Sequence, residues 1–288
     1  MPNDQISAEE KEIYDRQIRI WGHSVQSRLK NAHVAVVGIN GLSAEIVKDL
    51  VLSGIGELTL ADFCKPSHRE LDSNFLFQNE LSTSAPIASQ VADYVRSLNP
   101  FVRVHHRDME DIDNMNTVLT TPSPVQLVVF CRPLEFPQAF RRILQECAEH
   151  EPAVPLITAG LAGLRGFAIL DLIQYKLATD ETAAVSYPCS QSVLDIKEVD
   201  TKPRAHLKVP ILQSAIDILN EKADLHDNVL AGQVGLHSAP SCSIFGSMLA
   251  QTIIQYIGED TNGSKPANGA NILLFNEDVV SAERHPKY

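Results

Sequence analysis

The stretch "HVAVVGINGLSAEIVKDLVLSGIGELTLAD", residues 33–62, constrains this chain more than any other. Its opening run, 33–38, is short, apolar and β-branched, the pattern of a strand buried on both faces. A glycine turn follows. Next, "SAEIVKDLVLSG" sets Ile46, Val47, Leu50 and Val51 at helical spacing and closes on Gly54, which suits a helix C-terminus. "ELTLAD" then reads as a second strand ending in Asp62. A strand–turn–helix–strand unit of this kind joins two parallel strands through a crossover helix.

The remainder keeps the alternation. Strands are expected at 101–106, 125–131, 153–160, 165–173 and 271–278, and helices at 86–98, 137–150, 206–223 and 239–259. The last helix carries small and apolar residues all round, as a helix buried on most sides does. The whole is an α/β chain with a mostly parallel sheet and helices on both faces. Between about 178 and 235 the pattern weakens, which reads as a short insertion into one core at 31–288. Residues 1–30 read as an N-terminal helical arm, with Ser7 as N-cap and Glu10 completing a capping box.

Bulk properties narrow the function. An apolar fraction of 44% and a charged fraction of 21% are ordinary for a folded protein. A formal net charge of −12 repels phosphate backbones, and no basic patch offsets it, so nucleic acid is not an expected partner. There is no leader pattern and no 18-residue apolar run, so no membrane role is expected and the protein is read as soluble and not secreted. The five cysteines form no CxxC pair. They predict reduced, mostly buried thiols and no bound metal. His105 and His106 are adjacent on a predicted strand, so they point to opposite faces.

"VVGINGLSAE" stands where a glycine-rich nucleotide fingerprint would, after a strand and opening a helix. Gly38 and Gly41 allow the tight turn and the approach of a phosphate, and Asp62 falls where an acid would meet a ribose. Asn40 and Ser43 stand where further small positions would help. Glycines also serve simply to make such a turn, so both readings stay open here.

Four segments taken in order, "YDRQIRIWG", "GINGLSAEIVKDLVLSGIGELTLAD", "SLNPFVRV" and "APSCSIFGSMLAQTIIQYI", resemble the adenylating family that activates ubiquitin-like proteins, with its bacterial relatives in thiamine and molybdopterin synthesis. The resemblance covers roughly 10–175 and 235–280 and implies a Rossmann-like, ThiF-type fold. Active members carry an Asn-Arg-Gln segment after the second strand and a lysine on the next helix, both holding ATP phosphates. Here "LDSNFLFQNE" keeps Asn74 without the Arg-Gln pair, and Ile87 stands at the lysine position. The family's paired-cysteine zinc site is missing too. The chain therefore resembles a pseudo-adenylation half, leaving Gly38, Gly41 and Asp62 as a degenerate nucleotide site.

Within the family the likeness is to the smaller, non-catalytic subunits of heterodimeric SUMO-activating enzymes, supported by "VSYPCSQSVLDI" at 185–196. This resemblance implies a larger catalytic partner subunit that binds ATP with magnesium, binds the SUMO modifier, and carries the thioester cysteine. No cofactor is expected in this chain. A nuclear location is implied, with the cytoplasm as the alternative. By the same resemblance, Arg16 crosses the dimer to the partner's ATP, a task suited to a guanidinium that stays charged. The bland alternative pairs Arg16 with a surface carboxylate such as Glu12. Arg19 either assists at that site or braces the arm, while Tyr14, Ile18 and Trp21 anchor it. "YPCS" makes Cys189 a weak nucleophile candidate, with no activating histidine or basic cluster near it. Three rival readings remain: a subunit serving a Rub-type modifier, a stand-alone nucleotide-dependent adenylating enzyme, and a pure binding module that regulates modifier pathways without joining an active enzyme.

Overall fold

The computed structural model describes residues 6–64, 74–77, 85–109, 115–171, 237–258, 272–276 and 279–283. The expected helix at 206–223 and the Cys189 segment lie outside these residues.

One eight-stranded sheet organises the chain, in the order β3-β2-β1-β4-β5-β6-β7-β8. Strands β1 (His33–Val37), β2 (Glu57–Asp62), β3 (Arg103–Asp108), β4 (Leu127–Phe130) and β5 (Leu156–Ala162) run parallel. The sheet then turns antiparallel through β6 (Arg165–Asp171), β7 (Ile272–Asn276) and β8 (Val279–Glu283). The strand order reverses between β1 and β4, the point where α/β sheets open a crevice at their carboxyl ends.

Strand alternation splits the core into two. Val34 and Val36 of β1 face one apolar layer, formed with α3 (Gly41–Ser53), α4 (Ile87–Leu98) and α7 (Ala239–Gly258). Ala35 and Val37 face the other, formed with α5 (Met115–Thr120) and α6 (Pro137–Glu149). Helices on both faces explain why β1 and β4 are buried at every position: neither side meets water. Among the described residues no helix is long and apolar enough to cross a membrane.

Ahead of the sheet lie α1 (Ala8–Ile13) and α2 (Asp15–Asn31), the latter broken at Gly22. The Ser7–Glu10 capping box forms as the sequence predicts, with both reciprocal bonds present. Several boundaries differ from expectation by one to three residues, among them the start of β5 at Leu156, and two short elements are added. Strand β3 begins two residues late, because the Asn99 side chain accepts from Phe101 N and its carbonyl accepts from Val102 N, holding that stretch in a turn. The final strand is followed by β8, and the short α5 precedes β4; neither has a long enough periodic run to be read from sequence.

Candidate functional site

The crevice at the carboxyl ends of β1, β2 and β4 is closed by the chain's own side chains. Gly38 takes φ +85°, and a methyl group added to it would lie 2.6 Å from Arg132 Cγ. The turn is then sealed by a second capping box. Ser43 N donates to Asn40 Oδ1 at 3.0 Å, and Asn40 N donates to Ser43 Oγ at 2.8 Å. These are helix-terminal donors of the kind that would greet an anion. Asn40 Nδ2 also donates to Cys131 O at 2.8 Å, tying the loop after β1 to the loop after β4.

Asp62 is buried, as is the arginine beside it. Its Oδ2 accepts from Ile39 N at 2.5 Å, and its Oδ1 from Cys64 N at 2.6 Å. Arg132 Nη1 lies 3.7 Å from Asp62 Oδ2, while Nη2 and Nε donate to Glu135 Oε2 at 2.8 and 3.3 Å. The guanidinium sits 5.4 Å from the centre of the Phe136 ring. A positive group thus stands between two carboxylates and an aromatic face, an arrangement favourable to arginine.

These residues do not fit a nucleotide. The space above Gly38 holds the Arg132 stem, and Asp62 is engaged by two amides and a cation. Ile87 lies fully inside the core, and Asn74 is buried with its Oδ1 accepting from Leu76 N at 3.1 Å, a local turn. Gly41 is the buried first residue of α3. Of the predicted set, the structure brings Gly38, Gly41 and Asp62 together and adds Arg132, which sequence reasoning missed. The available signal was a charged pair three residues apart in "CRPLEF", directly after a buried strand. Asn40 and Ser43, which depart from the glycine pattern, form a reciprocal cap, N-x-x-S at a strand-to-helix turn.

The arm sorts "YDRQIRIWG" into two faces. Tyr14 is buried, with its ring over Gly54 and its hydroxyl accepting from Asn99 Nδ2 at 2.7 Å. Gln17 Nε2 donates to Leu52 O at 3.1 Å. Trp21 Nε1 donates to Gln26 Oε1 at 3.0 Å, and Gln26 Nε2 passes the link to Ser53 O at 2.9 Å. Farther out, Glu10 accepts from Lys30 at 2.7 Å. Burial raises the Glu10 pKa, but hydrogen bonds from Lys30 and Ser7 outweigh that and hold the carboxyl below its ordinary value. The arm is thus fastened to the end of α3 and to its own second helix.

The other face points away from the body. Arg16 is exposed and makes no hydrogen bond or ion pair among the described residues, so the pairing with Glu12 does not form. Arg19 pairs with Asp15 at 2.8 Å while its side chain stays 76% exposed. Such a pair contributes less than ~1 kcal/mol. Ile20, four residues after Arg16, is 81% exposed.

The thiols agree with a packing role. Cys131, Cys147 and Cys242 are buried and unpaired in disulfides, and burial pushes the Cys147 and Cys242 thiols up to about 12. His105 faces Glu57 and His106 faces Arg96, on opposite sides of β3. No metal-binding cluster is present among the described residues.

The rat SUMO-activating enzyme subunit 1 is 29% identical over 76% of this chain. The fission yeast DNA damage tolerance protein rad31 is 26% identical over 90% of this chain and 92% of its own length. The chain spans 63% of the rat relative and 33% of the Arabidopsis SUMO-activating enzyme subunit 1A, which is 38% identical over 106 residues. Among solved structures, PaaA superimposes with a TM-score of 0.62 at 18% identity, covering 96% of this chain and 73% of PaaA. E. coli MccB crystallised with ATP gives 0.61 at 17% identity, covering 98% of this chain and 72% of MccB. At these identities the structural likeness speaks for the fold alone. The ThiF family model matches residues 14–287, from the buried tyrosine of the arm through the last strand, and the chain belongs to the ThiF family.

Proposed function

We propose that this chain is the non-catalytic subunit of a heterodimeric SUMO-activating enzyme. Its larger partner binds ATP with magnesium and the modifier, and supplies the thioester cysteine. In the first step the modifier's terminal carboxylate attacks the α-phosphorus of ATP and pyrophosphate leaves. In the second, the partner's thiolate displaces AMP. This subunit contributes Arg16 to the phosphates held by the partner, and its own core, 31–288, serves as a scaffold with an insertion at about 178–235. The pair works in the nucleus.

One observation carries the reading: Arg16 is exposed on a braced arm, while the crevice in its own domain is filled by Arg132. A guanidinium with no partner among the described residues of its own chain is suited to a phosphate brought by another. Supplying it in trans makes adenylation depend on assembly. Reconstituted with the partner, Arg16→Ala should lower ATP–pyrophosphate exchange by about 10²–10³-fold, the usual loss for one transition-state donor. Co-elution of the two subunits stays intact. Exchange at the wild-type rate would overturn the reading. A discharge assay comparing SUMO with a Rub-type modifier decides which modifier is served.

A further inference from the structure

We propose that Arg132 is a built-in occupant of the nucleotide crevice, standing where the ribose of a bound nucleoside would meet Asp62. The inference does not depend on the heterodimer described above. In α/β folds of this topology the first glycine turn leaves room for a ligand's phosphates, and the acid closing the second strand accepts from its ribose. Here both features survive and both face the same side chain. The aliphatic stem of Arg132 fills the room over Gly38, with Cγ 2.6 Å from where a Cβ would be. Its guanidinium reaches to 3.7 Å from Asp62 and bonds Glu135.

Local architecture holds the occupant in place. Phe136 N donates to Arg132 O at 3.0 Å, closing a turn that brings the Phe136 ring beside the guanidinium. Phe136 is itself set edge-on against Phe63, with ring centres 5.0 Å apart. The side chain is therefore buried within packed and paired neighbours, and does not lie loosely across an open pocket. Asp62 keeps its amide bonds from Ile39 and Cys64 without Arg132, so removing the arginine should leave a shaped crevice with a carboxylate facing it.

The full chain tests this with two probes, adenosine and Mg–ATP, by thermal shift and calorimetry. The wild type should respond to neither. Arg132→Ala should melt about 5–10 °C lower, as breaking a buried ion pair does. It should regain about 2–4 °C with adenosine in excess of its dissociation constant. Binding of either probe by the wild type, or an Arg132→Ala chain that melts normally or ignores adenosine, would overturn the proposal. Should the alanine variant not fold, Arg132→Met keeps the stem and removes the charge. Combining it with Asp62→Asn should then recover part of the lost melting temperature; simple additivity of the two substitutions would overturn the proposal.

Discussion

Two regions of this molecule use one device to opposite ends. At Gly54 the backbone takes φ +80° and the hydroxyl end of the Tyr14 ring lies against it, with Cζ 2.5 Å from where a Cβ would be. At Gly38 the backbone takes φ +85° and the Arg132 stem lies on it at 2.6 Å. In both places a left-handed glycine lets a side chain from another segment sit against the main chain. The first guest is a tyrosine that fastens an arm and leaves Arg16 facing outward. The second is an arginine that turns inward and fills the crevice. Residue type alone does not say which arginine is held by its own chain. The partners within reach do: Arg132 lies near two carboxylates of its own chain, and Arg16 has none among the described residues.

The sharpest way to break the comparison is to remove the anchor. Tyr14→Ala deletes a buried aromatic ring and the acceptor for Asn99, and should cost about 3–5 kcal/mol in urea unfolding. Arg16→Ala, two residues away on the exposed face, should stay within about 0.5 kcal/mol of wild type. If both variants lower ATP–pyrophosphate exchange by the reconstituted enzyme but only the first lowers stability, anchor and donor are separate. A large loss of stability with Arg16→Ala would instead make that residue part of the brace.

Much of this fold is legible in the sequence because its strongest signals are local. β-branched runs closed by glycine mark buried parallel strands, and Ser7 with Glu10 marks a helix start. What escaped reading depends on distance in the chain. Asp62 and Arg132 meet only because β1, lying between β2 and β4, brings their carboxyl ends together. No periodicity connects them. Asn40 and Ser43 depart from a glycine motif in the sequence, and only the reciprocal bonds between them show that they are a cap. The outward direction of Arg16 also depended on tertiary contact: the helical spacing placed it on a face, and the bonds from Asn99 and to Leu52 decide which face is buried.

A smaller change probes the glycine itself. Gly54→Ala forces a side chain into a left-handed backbone and against the Tyr14 ring, strain of about 2–3 kcal/mol. The effect on the arm should exceed the effect on the crevice. Hydrogen exchange would then rise at the amides of α1 and the first turns of α2, while Ser43 N stays protected by its cap. Equal loosening at both sites would mean that the two glycines belong to one cooperative unit.

The smallest effect separates the regions by pH. Glu10 closes the Ser7 cap and pairs with Lys30, and those bonds hold its pKa in the folded chain below the ordinary 4.5. A carboxyl depressed in this way contributes stability that is fully present above its unfolded pKa and is lost as pH falls through the folded one. The arm's brace should therefore weaken in acid, below about pH 4.5. At pH 7, Glu10→Gln should cost about 1 kcal/mol, because the cap retains an acceptor while the ion pair is lost. Below the folded pKa of Glu10 the difference between wild type and variant should shrink toward zero. Chemical unfolding of both chains at a series of pH values reads this directly. A gap that stays constant down the series would mean that Glu10 holds the arm by shape alone, and that charge has no part in keeping Arg16 presented.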